Sequence, residues 1–178
     1  MVAPKKYMSK PVPKFYYEQI KIPGSMETAV DNFWNNTLLH YFTQDKFYGT
    51  EQEQRPLEGI LKKRADFQIR YIKNGTATKV VLMEDNKRGH ETQTSLWTEA
   101  VDQLTSYLKL VRAEQTQYDD ILYGAVTIGT YVRFYNFVPD EQQLRDYPST
   151  FTGKAYELRD DENEVHKILN EYVAKTAH

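Results

Sequence analysis

The chain has 178 residues, with 23 Lys and Arg against 25 Asp and Glu, a formal net charge of -2 and no cysteine. The absence of cysteine excludes a disulfide scaffold and thiolate metal sites. No apolar run in the sequence approaches the roughly 20 residues that span a bilayer, and the first residues carry charges and prolines in place of an apolar signal core. These features predict an intracellular protein of the nucleus or cytoplasm without a membrane partner.

Charge is distributed unevenly along the chain. Residues 55–90 hold nine Lys and Arg against four Asp and Glu, a net charge of +5, and this density suits a polyanion such as nucleic acid. Four basic residues of this segment are candidate nucleic-acid contacts: Lys62, Lys63, Arg64 and Arg88. Residues 1–17, rich in lysine and proline, predict a mobile tail, and residues 18–178 predict a single domain.

The first half of the chain predicts one helix followed by a three-stranded meander. Apolar residues recur at three- to four-residue spacing over 26–43, which is typical of a helix with one buried face. Runs with strand-like composition occupy 57–61, 65–72 and 78–85. Asn74 and Gly75 stand between the last two runs, and this dipeptide is typical of a tight β-hairpin.

The second half predicts a helix, two strands and a final helix. Helical periodicity runs over 95–115 without glycine or proline and is long enough for a crossover connection. Residues 121–128 are apolar on both strand faces, which predicts a central strand, and 131–138 is its expected hairpin partner. A last helix is expected after Asp161. Together the elements predict an α/β fold in which helices flank a mixed central sheet.

Three residues near predicted strand ends form the most chemically suggestive group. Asp66 lies at the start of one strand, and Asp85 and Lys87 lie at the end of the next. Pairing across the predicted hairpin would bring two carboxylates and one ammonium together, and oxygen ligands are what Mg²⁺ and Mn²⁺ prefer. The alternative is a partly exposed salt bridge between neighbouring strands.

A second polar pair lies on the predicted crossover helix. Gln103 and Tyr107 are four residues apart, so they lie one above the other. Measured from Leu104 at about 100° per residue, both edge the apolar face of the helix. They could hold the lysine, an acid or a phosphate there, and an ordinary polar boundary of the helix is the alternative.

The order of these residues resembles the motifs of the PD-(D/E)xK nuclease superfamily: Asp66, then Asp85-Asn86-Lys87, then Gln103 with Tyr107. The Gln-x-x-x-Tyr element is similar to that of its RecB-like and Cas4-like branch, and the whole chain resembles small fungal proteins of the superfamily. The resemblance implies a restriction-endonuclease-like core of order αβββαβ, with the last helix as an addition at the C-terminus.

The resemblance also implies a set of metal ligands. Asp66 and Asp85 would bind Mg²⁺ or Mn²⁺ together with the backbone carbonyl of Asn86. Glu27 is a further candidate, because the superfamily often has an acid in its first helix, and a first-turn glutamate favoured by the helix dipole is the equal alternative. Ala65 stands where the name of the superfamily has proline.

The remaining implied roles concern catalysis and its support. Lys87 would be the catalytic lysine, and Gln103 and Tyr107 would support the lysine and the substrate. Glu84 would compete with Asp85 as the second acid if the strand carried a one-residue bulge, although its spacing to Lys87 does not fit the motif.

The activity implied by the resemblance is hydrolysis of DNA phosphodiester bonds by a metal-activated water. RNA is an alternative substrate, and a homodimer is left open. The alternative is a protein that is not an enzyme: a catalytically inactive module of the same fold that binds nucleic acid or a protein partner through the basic 55–90 segment. The complete set of two acids, lysine, glutamine and tyrosine favours the enzyme.

Overall fold

The computed structural model describes residues 5–24, 27–54, 65–85, 91–115 and 120–177. Within these ranges the helices are α1 (Pro11–Ile20), α2 (Glu27–Tyr41), α3 (Thr94–Glu114) and α4 (Glu162–Thr176). The strands are β1 (Tyr48–Gln54), β2 (Ala65–Lys73), β3 (Thr76–Asp85), β4 (Leu122–Ile128), β5 (Tyr131–Phe137), β6 (Arg145–Asp146) and β7 (Tyr156–Glu157). No helix in the described part of the chain has the length and apolar character that a membrane crossing requires.

The strands form one mixed sheet in the order β1-β2-β3-β4-β5-β6, and β7 also pairs with β5. The meander β1-β2-β3 is antiparallel. The β3 and β4 strands are parallel, and α3 connects them, as parallel neighbours require a crossover. The predicted α/β class with a mixed central sheet is therefore confirmed.

Helices cover the sheet on both faces. The α2 and α4 helices pack with β2, β4 and β5 through residues such as Phe33, Phe67 and Leu169. The α3 helix packs on the other face through Leu104 and its neighbours. All seven residues of β4 are buried, because this strand lies between the two helical layers. This burial agrees with its apolar character on both strand faces.

The predicted helices and the last two long strands lie within two residues of their observed bounds, but the first strand of the meander differs. The predicted strand at 57–61 lies outside the described residues, whereas the first strand of the sheet is β1, at Tyr48–Gln54. The β1 strand is not predicted from the sequence because it is an edge strand composed mostly of glutamine, glutamate, threonine and glycine. Such a strand lacks the apolar alternation that identifies strands buried on one face.

The prediction of a mobile tail over 1–17 is wrong for residues 5–17. A 3₁₀ turn at Tyr7–Ser9 leads into α1, and the Tyr7 side chain is 0% exposed. Its hydroxyl donates to the backbone carbonyl of Leu158, and the Tyr17 hydroxyl donates to Glu157 Oε1 at 2.7 Å. Tyrosine supplies the apolar area that the lysine- and proline-rich composition concealed.

The hairpin between β2 and β3 requires a left-handed backbone, and this requirement yields a test. Asn74 has φ 52° and Gly75 has φ 75°, as a two-residue primed turn demands. We expect Gly75→Ala to lower the free energy of unfolding by about 1–2 kcal/mol, because a Cβ is strained at such a φ. Urea denaturation measures the change.

Gly49 provides the matched control for this substitution. Its backbone lies outside the left-handed region, and an added Cβ would lie 3.5 Å from Ile72 Cδ1, an ordinary contact. Gly49→Ala should therefore change stability by less than about 0.5 kcal/mol. Equal losses at the two glycines would contradict the turn assignment.

Candidate functional site

The two acids predicted as metal ligands lie on neighbouring strands at the same end of the sheet. Asp66 is the second residue of β2, and Asp85 is the last residue of β3. Phe67 pairs with Met83 in the antiparallel register. Continuing this register by one step sets position 66 directly across from position 84, with position 85 one step further along β3.

The residues of β4 identify the two faces of the sheet at this end. Ala125 lies in the core formed with α2 and α4, and the next residue, Val126, lies in the core formed with α3. Successive strand positions alternate between faces, and paired positions share a face. Because Met83 pairs with Ala125, position 83 is on the face of α2 and α4.

Glu84 pairs with Val126, so position 84 is on the α3 face. Position 66 is directly across from it and is on the α3 face too. Asp85 pairs with Thr127, which places position 85 on the opposite face. Register therefore brings Glu84 into the same row as Asp66, whereas motif spacing had favoured Asp85.

Several predicted site residues cannot be placed beside these acids. The basic and carbonyl candidates lie outside the described residues: Lys62, Lys63, Arg64, Asn86, Lys87 and Arg88. Glu27 is the first residue of α2, and its backbone alone is described. The roles assigned to these residues stay predictions.

The glutamine–tyrosine pair of α3 takes two different environments. Tyr107 is buried in the core between α3 and the sheet. Gln103 is half-buried, and its Nε2 lies 3.4 Å from Glu99 Oε1, a distance at the long limit of a hydrogen bond. Gln103 also lines an open groove along α3 with Thr94, Ser95, Thr98, Glu99, Asp102 and Ser106. Its amide is therefore accessible from this groove.

A buried polar group that the sequence analysis missed lies on β1 and β2. Gln68 is 1% exposed, and its Nε2 donates to Glu51 Oε2 at 2.9 Å. Arg70 Nε donates to the same oxygen at 3.1 Å. The Oε1 atom of Gln68 is buried without a hydrogen-bond partner. Gln68 lies two residues after Asp66, so the two positions share the α3 face. This two-residue spacing from Asp66 was the signal available in the sequence.

A second missed group joins α3 to β5. The guanidinium of Arg133 lies 4.2 Å from the centre of the Trp97 ring, within cation–π distance. Trp97 in turn donates from Nε1 to the Glu91 carbonyl at 2.7 Å. Arg133 is the single basic residue between Arg112 and Arg145, and this isolation within an aromatic strand was the signal available in the sequence.

Among the described side chains, no group of three or more His, Asp, Glu or Cys residues is arranged to hold a metal ion. The side chains of Asp66 and Asp85 are not part of that set, because the structure describes their backbone alone. The donor types at this end of the sheet are carboxylates and backbone carbonyls. They fit a hard cation such as Mg²⁺ or Mn²⁺ and do not fit a thiolate-bound metal.

Comparisons of the chain with known protein families, with curated proteins and with solved structures found no match. The candidate site is therefore defined by strand register, burial and hydrogen bonds within the chain itself. Its described part consists of the β2 start, the β3 end and the facing side of α3.

Proposed function

We propose that the chain is a divalent-metal-dependent nuclease that hydrolyses DNA phosphodiester bonds with a metal-activated water. The observation that carries the proposal is the backbone register, which sets position 66 across from position 84, with position 85 next along β3, at one end of neighbouring strands. Gln103 lies on α3, which follows β3 and packs on the face of the sheet that holds positions 66 and 84. Acids on paired strands beside a polar helix face suit metal-assisted hydrolysis.

The order of elements supports a restriction-endonuclease-like core. From α2 to β4 the order is helix, three antiparallel strands, helix and a strand parallel to the third. This order agrees with the αβββαβ arrangement that the PD-(D/E)xK resemblance implies. The β5 to β7 strands and α4 would then be additions to that core.

Each proposed role follows from the chemistry of the side chain. A bound Mg²⁺ or Mn²⁺ lowers the pKa of a coordinated water and neutralises a phosphodiester oxygen. Asp66 would hold this ion together with Glu84, which shares its face of the sheet, or together with Asp85 and the Asn86 carbonyl if the end of β3 departs from a regular pleat. Glu27 would be a further ligand. Lys87 would orient the attacking water or accept its proton.

The substrate would be held by charge and by hydrogen bonding. The basic residues that precede β2 and follow β3 in the sequence would contact backbone phosphates, as cationic side chains do in nucleic-acid interfaces. They are Lys62, Lys63, Arg64 and Arg88. Gln103 would accept from the Lys87 ammonium through Oε1 or donate from Nε2 to a phosphate. The buried Tyr107 would fix α3, the helix that carries Gln103.

Cleavage of DNA with and without metal tests the proposal. We expect the wild-type protein to cleave linear, circular or single-stranded DNA with Mg²⁺ or Mn²⁺ and to be inactive in EDTA. Asp66→Asn should lower the rate by on the order of 10²–10³-fold, because one charged ligand is lost. Calorimetric titration with Mn²⁺ should show weakened binding in the same variant.

Asp45 provides the control for this substitution. It lies in the 3₁₀ turn Gln44–Lys46 and is exposed, so Asp45→Asn should leave both metal binding and cleavage unchanged. A wild-type protein that is folded but binds no Mn²⁺ and cleaves none of the DNA forms would contradict the proposal.

The pairing register of β2 with β3 yields a separate prediction about the second acid. Position 84 shares a face with position 66, so we expect Glu84→Gln to reduce cleavage by on the order of 10²-fold or more. Parallel assays of Glu84→Gln and Asp85→Asn, each checked for folding by circular dichroism, compare the two acids. Wild-type activity in Glu84→Gln together with loss in Asp85→Asn would show that β3 departs from a regular pleat at its end.

A catalytically inactive nucleic-acid-binding module is the second candidate. The observation that favours it is the net charge of +5 over residues 55–90, which serves binding whether or not a metal is present. Metal-independent DNA binding by a protein that cleaves nothing would identify this alternative.

A further inference from the structure

Arg133 lies in the same row of paired positions across the sheet as two of the candidate acids, Asp66 and Glu84. It pairs with Val126 across β4 and β5, and Val126 pairs with Glu84 across β3 and β4. Paired positions share a face of the sheet, so Arg133 and position 84 are on the α3 face. Position 66 extends the same row onto β2.

The guanidinium of Arg133 is held in place by two aromatic residues. It stacks over the ring of Trp97, which is 2% exposed. Tyr135 provides a second contact through a side-chain hydrogen bond with Arg133. Burial raises the pKa of Tyr135 to about 12, and the positive charge of Arg133 opposes that rise. The tyrosine is therefore a neutral partner at physiological pH.

The charge of this guanidinium is not matched by an ion pair in the described part of the chain. No carboxylate there forms an ion pair with Arg133, and its Nε is buried without a hydrogen-bond partner. A buried donor without a partner leaves the guanidinium incompletely satisfied. Arg133 as a whole is partly exposed, so an anion can accept from the other nitrogens of the guanidinium and neutralise its charge.

We propose that Arg133, held by Trp97, binds a backbone phosphate of the nucleic acid that occupies the candidate site. The planar fork of arginine matches the oxygens of a phosphate and can stack on an aromatic ring at the same time. The location of this contact beside a hydrolytic centre rests on the proposed function. The anion contact itself rests on a guanidinium that is stacked on Trp97 and has no ion pair among the described side chains.

The spacing along the row sets which phosphate Arg133 contacts. Neighbouring strands are about 4.8 Å apart, so the backbone of Arg133 lies about 10 Å from position 84 and about 14 Å from position 66. Nucleotide steps advance about 3.4 Å along one strand of a duplex. The contacted phosphate is therefore about three or four nucleotide steps from the one held by the acids.

Binding of a labelled DNA measured by fluorescence anisotropy in EDTA tests the inference, because neither metal nor cleavage enters. We expect Arg133→Gln to weaken binding about tenfold, the effect of losing a charged hydrogen bond. The slope of log affinity against log salt should fall by about 1, the signature of one lost phosphate contact. Arg133→Lys keeps the charge but loses the stacked fork, so it should bind with intermediate affinity.

Arg145 provides the matched control, because it is exposed and forms its ion pair with Glu141. Arg145→Gln should retain the wild-type affinity and salt slope. Wild-type affinity and slope in Arg133→Gln would overturn the inference. If that variant does not fold, wild-type binding by Arg133→Lys overturns it. A wild-type protein that binds DNA through Arg133 but never cleaves it would contradict the proposed activity and leave this inference standing.

Discussion

We expect Lys87→Ala to lose DNA cleavage by on the order of 10³-fold while its fold and its metal affinity stay close to wild type. Proton transfer or water orientation by one positioned side chain contributes about that factor. We expect Lys87 to contribute little to stability, because a solvent-exposed ion pair contributes about 0–1 kcal/mol. Single-turnover cleavage with Mn²⁺, calorimetric Mn²⁺ titration and urea denaturation measure the three properties.

Lys109 provides the control for this substitution, since it is an exposed lysine on α3 outside the candidate site. Lys109→Ala should retain cleavage, metal binding and stability. Loss of folding in Lys87→Ala would instead support the salt-bridge interpretation, in which Asp66, Asp85 and Lys87 join neighbouring strands. Normal cleavage by a folded Lys87→Ala protein would remove Lys87 from the proposed mechanism.

The elements with regular apolar spacing could be predicted from the sequence. The helix at Thr94–Glu114 buries Trp97, Leu104 and Val111 on one face, and this periodicity is visible in the residue order alone. The β4 strand is buried on both faces, so its sequence is free of charged residues and Thr127 is the one polar side chain in it. In both cases the buried positions require apolar residues, and the spacing of those residues is visible in the sequence.

Elements whose burial depends on distant partners could not be predicted in this way. The β1 strand belongs to the sheet because Glu51 and its neighbours pair with β2, although the strand itself is polar. The two-residue strands β6 and β7 are held by pairing with β5 and carry no periodicity of their own. Backbone pairing with β5 stabilises these short strands, and their amino-acid composition does not indicate this pairing.

The candidate site shows the same division between local pattern and tertiary contact. The convergence of Asp66 with the end of β3 followed from the hairpin, and the observed register supports it. The side of the sheet on which each acid lies relative to the helices depends on where α2 and α3 pack. That packing cannot be predicted from the sequences of the strands. Arg133 was missed for this reason, because its contact with Trp97 joins a strand to a helix.

The second large effect is expected at Tyr7. We expect Tyr7→Ala to lower the free energy of unfolding by about 3–5 kcal/mol, the usual cost of removing a buried aromatic side chain. Tyr7 is 0% exposed and meets Phe33 edge-to-face at 5.9 Å. Burial raises the pKa of its hydroxyl, so the group stays protonated and continues to donate to Leu158. Urea denaturation of the variant and the wild type measures the loss, provided that the free energy of unfolding falls with urea concentration at the same slope in both proteins.

Two further variants separate packing from hydrogen bonding and from the mobile-tail interpretation. Tyr7→Phe removes only the donor to Leu158, so it should cost about 1 kcal/mol. Phe15 belongs to the same N-terminal segment but is 57% exposed, so Phe15→Ala should stay within about 0.5 kcal/mol of wild type. If residues 5–17 were a solvated tail, Tyr7→Ala would be as neutral as Phe15→Ala. A large difference between them would establish that the N-terminal segment is part of the core.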